Sequence, residues 1–148
     1  MEKINYQVRE LEKKDLDSNL GYLETLKNLT EVKELPIERL EEIFDKIKEQ
    51  GTCIFVAVKD DGQIIGATSL LLEQKFTHGG VLAGHIEEVA TRKGYEGMGV
   101  ASTLIKKAIE VAQENNCYKL ILDCEDNLIP FYEKFDFKEK GNYMRIDF

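Results

Sequence analysis

Glu87 and Glu88 stand side by side in an apolar run, with Ile86 before them and Val89-Ala90 after. Successive side chains of a strand point to opposite faces, so two adjacent carboxylates do not suit a regular central strand. An edge strand would leave both charges in water. A strand broken by a bulge or splay would instead turn one carboxylate into a cleft, and the apolar neighbours favour this arrangement. Partial burial there raises a carboxyl pKa toward the range of a general base. Gly97-Met98-Gly99-Val100-Ala101-Ser102 follows and opens an amphipathic stretch. Glycines let a ligand approach the backbone, and the free N–H groups of a helix start bind anions such as pyrophosphate. Taken alone, the turn is weakly specific. It has neither the GxxxxGK[ST] of a P-loop nor a completed GxGxxG. Tyr132 lies nine residues beyond Asp123. It reads either as a core aromatic with Phe131, Phe135 and Phe137 or as a phenol able to protonate a departing thiolate. Lys75, His78 and Lys119 are the nearest cations and donors, although solvated surface positions explain them equally well. His85 reads as structural. A base, an anion cradle and an acid form the set that acyl transfer from a phosphorylated carrier requires.

These residues need a scaffold. Tyr6-Gln7-Val8-Arg9 reads as a short strand. Asp15 or Asp17 can cap a helix carrying Leu16, Leu20, Leu23 and Leu26 at helical spacing. Pro36 suits the first turn of a second helix, with Leu40, Ile43, Phe44 and Ile47 on one face and Gly51 at its end. Residues 53–58 and 64–72 form a hairpin across Asp60-Asp61-Gly62-Gln63. Residues 81–90 are the next strand. Val100, Leu104, Ile105, Ala108, Val111 and Ala112 give a long helix ending at Asn115-Asn116. The run 119–123 has the continuous apolarity of a strand buried on both faces. A short helix at 131–135 and a last strand at 143–148 complete one α/β domain, a mixed sheet with flanking helices spanning residues 1–148.

The chain has 148 residues and a formal net charge of −8. That balance opposes a nucleic-acid surface, which needs clustered Lys and Arg. No apolar run is long enough to span a membrane, and Met1-Glu2-Lys3-Ile4-Asn5 lacks the features of a secretory leader, so a cytoplasmic location is expected. Cys53, Cys117 and Cys124 show no CxxC spacing. With only two histidines, no standard zinc set can be drawn, and no metal is expected. The three thiols are expected to be buried and reduced.

The same residues resemble the GNAT superfamily of N-acetyltransferases, in the order of elements and in a Gly-rich turn after the fourth strand. A closer resemblance is to the glucosamine 6-phosphate N-acetyltransferase family. It rests on Glu24-Thr25-Leu26-Lys27-Asn28-Leu29-Thr30, Glu73-Gln74-Lys75-Phe76-Thr77-His78, Gly84-His85-Ile86-Glu87-Glu88-Val89, Cys117-Tyr118-Lys119-Leu120-Ile121-Leu122-Asp123-Cys124, Phe131-Tyr132-Glu133-Lys134-Phe135 and Asn142-Tyr143-Met144. The resemblance implies a GNAT fold, with a mostly antiparallel sheet and a splayed fourth strand. It also implies acetyl transfer from acetyl-CoA to the 2-amino group of glucosamine 6-phosphate, a step supplying UDP-N-acetylglucosamine synthesis. The backbone of Val89, Ala90 and Thr91 would pair with pantetheine, and Gly97, Met98, Gly99, Val100, Ala101 and Ser102 would hold the pyrophosphate. Thr30, Lys75, His78, Glu87, Glu88, Tyr118, Lys119 and Asp123 would contact the acceptor, with the site completed across a homodimer. Glu88 would accept the ammonium proton directly or through a water. N–H groups near Val89 would steady the oxyanion, and Tyr132 would protonate the CoA thiolate.

The sequence departs from the family at several positions. Glu96 replaces the usual Arg or Gln at the head of the turn, and Glu88 replaces a usual Asp. Leu128 takes the place of an asparagine, with Asn127 one position away, and Asp136 that of a glycine. Asp147 replaces an arginine that helps hold the sugar phosphate, for which Arg145 is the nearest substitute. Asp147 therefore favours a first rival reading, an unphosphorylated amino sugar or another small amine as acceptor. A second rival, a non-catalytic acyl-CoA-binding module, has no use for both Glu88 and Tyr132.

Overall fold

The computed structural model describes residues 3–148; Met1 and Glu2, part of the N-terminal stretch read above, lie outside it. Its sheet has the order β1-β2-β3-β4-β5, built from β1 (Tyr6–Glu10), β2 (Thr52–Lys59), β3 (Ile64–Gln74), β4 (Leu82–Thr91) and β5 (Leu120–Ile121). The first four strands run antiparallel, and β5 joins β4 in parallel. The helices are α1 (Tyr22–Leu26), α2 (Ile37–Glu49), α3 (Val100–Glu114) and α4 (Ile129–Glu133).

Strand alternation divides the core in two. Phe55, Ala57, Ile65, Leu70 and Ile86 meet Val100, Leu104, Ile105, Ala108 and Ala112 of α3, with Tyr132 of α4 at the same layer. On the opposite face Ile54, Val56, Val58, Ile64 and Ala67 meet Tyr22 of α1 and Phe44 of α2. The closest approach is at Gly66, where a Cβ would fall 2.4 Å from Val100 Cγ1 and 2.9 Å from Leu104 Cδ1. Only a glycine lets the first turn of α3 lie that near the sheet.

Several sequence expectations need correction. The leucine periodicity across residues 16–26 does not form one helix. It breaks into 3-10 turns at Lys13–Leu16 and Ser18–Leu20 and then α1, because Gly21 adopts a left-handed φ of 86°. Any side chain at Gly21 would overlap the Arg92 guanidinium. Asp17 does cap the second turn, through Asn19 N–H. Asp15 is buried instead, with its oxygens 2.6 and 2.9 Å from the two terminal nitrogens of Arg9. Burial alone would raise its pKa, but the Arg9 hydrogen bonds and the Glu12 N–H outweigh it and hold the carboxyl below the usual range.

The run 119–123 is reduced to the two residues of β5, and Ile121 is 39% exposed. With β4 as its only neighbour among the described residues, β5 keeps an open edge. Residues 143–148 form no strand, for nothing among the described residues pairs with them; Tyr143, Met144, Ile146 and Phe148 are all exposed. The cysteines are free thiols but half-buried rather than buried. Among the described residues no helix is long and apolar enough to cross a membrane.

Candidate active site

The paired carboxylates sit on a bulge. Between Ala67 and Ser69 the β3–β4 register slips, so that Ala67 opposes Ala90 while Ser69 opposes Glu87. Glu88 absorbs the slip with φ of 52°, and Thr68 Oγ1 lies 3.4 Å from the Glu87 carbonyl oxygen. A non-glycine residue in this region is strained and is held there by its surroundings. Both side chains remain in contact with solvent. Partial desolvation, then the charge on Asp123, pushes the Glu87 carboxyl above its ordinary range. On the sheet face that α1 covers, the buried Tyr22 phenol is pushed up by burial and then by the Glu88 charge.

Beside the bulge the sheet opens. β4 and β5 pair only at Gly84↔Leu120 and His85↔Ile121 and then diverge. Arg92 N–H donates to the Ile65 carbonyl, and alternation along the strand therefore turns the main-chain groups of Val89 and Thr91 away from β3. Val89 thus presents peptide groups to the opening. At the end of β4 the turn leads into α3, whose N-cap is Gly99 with φ of 80°. A Cβ at Gly97 or Gly99 would meet nothing within 4 Å. The open space, the first-turn N–H groups and the absence of an acidic residue in that turn suit an anionic ligand. Met98 is exposed, Ala101 and Ser102 are half-exposed, and Val100 is buried against the sheet. The Val100 side chain is therefore closed to any ligand at the turn.

Tyr132 is 7% exposed and packs edge-on to Phe131 and Phe137, with ring centroids 5.0 and 6.0 Å apart. It is a core aromatic whose hydroxyl is neither sealed from solvent nor hydrogen-bonded among the described residues. Burial, followed by Cys124 and Asp123, pushes the phenol pKa up.

On the other side of the two paired rungs, His78 on the β3–β4 connection stacks on Tyr118, with centroids 4.0 Å apart and planes at 20°. Lys119 Nζ lies 5.3 Å from the same ring. Glu73 holds Lys75 at 2.8 Å and His85 at 2.7 Å. The Lys75 hydrogen bond, then that of His85, keeps the Glu73 carboxyl below its usual range. Lys75, His78, Tyr118 and Lys119 thus gather where β3, β4 and β5 meet, and Asp123 follows β5 close enough to act on Glu87. Thr30 stands apart: it is exposed after α1 and joined only through its N–H to Leu26. Asp147 is paired with Arg145, whose Nε is 2.7 Å from Oδ1, so the nearest substitute cation is already engaged within its own exposed segment. Glu73 and Asn28 escaped the sequence reading as site residues. Glu73 shares a strand face with Lys75 two residues on, a spacing that alternation alone makes visible.

Comparison with known proteins identifies the family. Residues 19–137 match the acetyltransferase (GNAT) family. The chain is 38% identical over 146 residues to the glucosamine 6-phosphate N-acetyltransferase of Trypanosoma brucei brucei, covering 97% of each chain. This chain is a GNAT acetyltransferase of the glucosamine 6-phosphate N-acetyltransferase family. The crystal structure of a Trypanosoma brucei acetyltransferase superposes with a TM-score of 0.91 at 37% identity, over 97% of this chain and all of that one. The Arabidopsis thaliana glucosamine-6-phosphate N-acetyltransferase also gives 0.91, at 28% identity, over 97% of this chain and 99% of that one. Acetyltransferases of the GNAT family use acetyl-CoA, and the glycine turn and the open side of β4 described above fit its pyrophosphate and its extended arm.

Proposed function

We propose that this chain transfers the acetyl group of acetyl-CoA to the 2-amino group of glucosamine 6-phosphate. The observation that carries this reading is the continuity of three features. The anion cradle at α3, the unpaired side of β4 and the bulge bearing Glu88 follow one another along a single opening. The relatives named above supply the identity of the acceptor.

In this reading Gly97, Met98, Gly99, Val100, Ala101 and Ser102 hold the pyrophosphate through backbone N–H groups, and Val89, Ala90 and Thr91 align the pantetheine. Val89 N–H polarises the thioester carbonyl. As the C–N bond forms and the C–S bond breaks, Glu88 takes a proton from the amine, directly or through a water, and Tyr132 gives one to the sulfur. Thr30, Lys75, His78, Glu87, Tyr118, Lys119 and Asp123 orient the sugar. The reaction would serve UDP-N-acetylglucosamine synthesis in the cytoplasm.

Free-thiol release with acetyl-CoA, measured on glucosamine and on glucosamine 6-phosphate, tests the acceptor. The phosphorylated sugar should turn over far faster, since a cationic pocket gains charge-assisted bonds from it. Equal rates would favour the unphosphorylated rival that Asp147 suggests. No release with any amine, despite tight CoA binding, would leave only a binding module.

Tyr132→Phe is expected to slow turnover about tenfold without changing acetyl-CoA affinity. The effect is modest because a thiol of pKa about 8.5 is already a tolerable leaving group. An unchanged kcat would remove Tyr132 from the role of acid.

A homodimer is part of this reading. The open edge of β5, the fully exposed Phe76 on the β3–β4 connection and the 143–148 segment all expose apolar surface. A second copy would cover that surface and bring its own cations to the sugar phosphate. Sedimentation at micromolar concentration checks this, and a monomer would exclude a shared site.

A further inference from the structure

A carboxylate at the head of an anion cradle should repel the pyrophosphate bound there, yet Glu96 occupies that place. Its side chain accounts for the paradox. Glu96 Oε1 accepts from Asn28 Nδ2 at 3.0 Å, and Oε2 accepts from Gly94 N–H at 2.7 Å. The Asn28 amide also donates to the Thr91 carbonyl at 2.8 Å. Asn28 follows α1, on the sheet face opposite α3. The carboxylate is therefore drawn across the end of the sheet, away from the first turn of α3. Its own N–H and that of Gly94, with Asn28, hold its pKa below the usual range, so it stays charged in this arrangement.

We propose that Glu96 and Asn28 form a clamp that holds the glycine turn in its anion-binding shape, making Glu96 a positioning residue for CoA rather than a repulsive one. The three hydrogen bonds tie together the last residue of β4, the middle of the turn and the end of α1. The turn itself carries three left-handed glycines, Gly94, Gly97 and Gly99. Glycines have the most conformational freedom to lose, so a turn of this composition binds well only if something outside it restricts it. Residues 91–96 are restrained from the other side too: Arg92 donates to Gln63 Oε1 at 2.8 Å, and Gln63 in turn to the Asn19 carbonyl at 2.7 Å. The clamp closes the remaining free end. Preorganisation of this kind improves affinity by lowering the ordering cost on binding.

The inference rests on the acetyl-CoA reading above but not on the acceptor, so CoA alone is the probe. Calorimetric titration of CoA into Glu96→Ala should show affinity weakened by about tenfold, the worth of one or two charge-assisted hydrogen bonds. Asn28→Ala should weaken it in the same direction, and the double variant should be no worse than Glu96→Ala, because both remove one device. Glu96→Gln keeps one acceptor oxygen and should recover part of the loss. Tighter binding by both Glu96 variants would overturn the proposal and restore simple repulsion. So would a fall in affinity matched by a general fall in thermal stability in every variant, which would mark a purely structural role. A wild-type protein that bound no CoA would sink the functional reading itself, whereas unchanged binding in the variants would sink only the clamp.

Discussion

Glu88→Gln should lower kcat by about 100- to 10,000-fold while acetyl-CoA still binds, the usual range for loss of a positioned general base. The prediction is this large because no other group stands in the same relation to the opening. Glu87, its neighbour, faces Asp123 and has its pKa pushed up by partial desolvation and that charge. In the reading proposed above it orients the sugar beside Asp123, so it does not stand in for Glu88. Gln preserves the shape and tolerates the same backbone, so the φ of 52° at this position need not change. Glu88→Asp should retain most of the activity, since it keeps the charge and shortens only the reach. Steady-state kinetics with both substrates varied would decide. A variant that lost affinity for acetyl-CoA and kept its kcat would show Glu88 to be a binding residue instead.

Leu104→Ala should destabilise the protein by about 2–5 kcal/mol, the range for truncating a fully enclosed leucine. Leu104 is 0% exposed and rests over Gly66, where helix and sheet come closest. The sheet there is tightly paired on both sides, so it cannot collapse into the space left behind. A chain of this size loses roughly 2–4 °C of melting temperature per kcal/mol, and urea unfolding would measure the change directly. The same helix begins at the glycine turn. The variant should therefore also bind CoA more weakly, and saturating CoA should recover part of the lost stability by mass action. A shift below about 1 kcal/mol would mean that α3 is held chiefly by contacts other than its first turns.

Much of this architecture is legible in the sequence because its strongest signals are local. The 3.6-residue rhythm from Val100 to Ala112 and the two carboxylates that no regular central strand would tolerate both describe what the structure contains. Asp136, where a glycine is usual, adopts φ of 68°, a conformation that Asp tolerates better than most side chains. What stays hidden depends on distant partners. Gly21 interrupts a plausible leucine helix because Arg92 lies over it, and Asp15, which accepts the Glu12 N–H at the start of a 3-10 turn, also takes the guanidinium of Arg9. The carboxylate of Glu96 looked like a defect because Asn28, 68 residues earlier, cannot be seen from the turn. The stretch 143–148 reads as a strand, but a strand needs a neighbour, and none pairs with it among the described residues.

The two-rung pairing of β4 with β5 makes the sheet an unfinished one. In the reading proposed above, an extended ligand lying along Val89 would become its missing strand, and binding would in part be the last step of folding. By linkage, a ligand at 100 times its Kd adds about 2.7 kcal/mol to the stability of the chain that holds it. The enzyme would then be sturdiest while at work. The idle molecule, with peptide groups bare along the gap, would be the form most open to proteases and to unwanted strand pairing. Substrate supply would set not only how fast this protein turns over but how long each copy lasts.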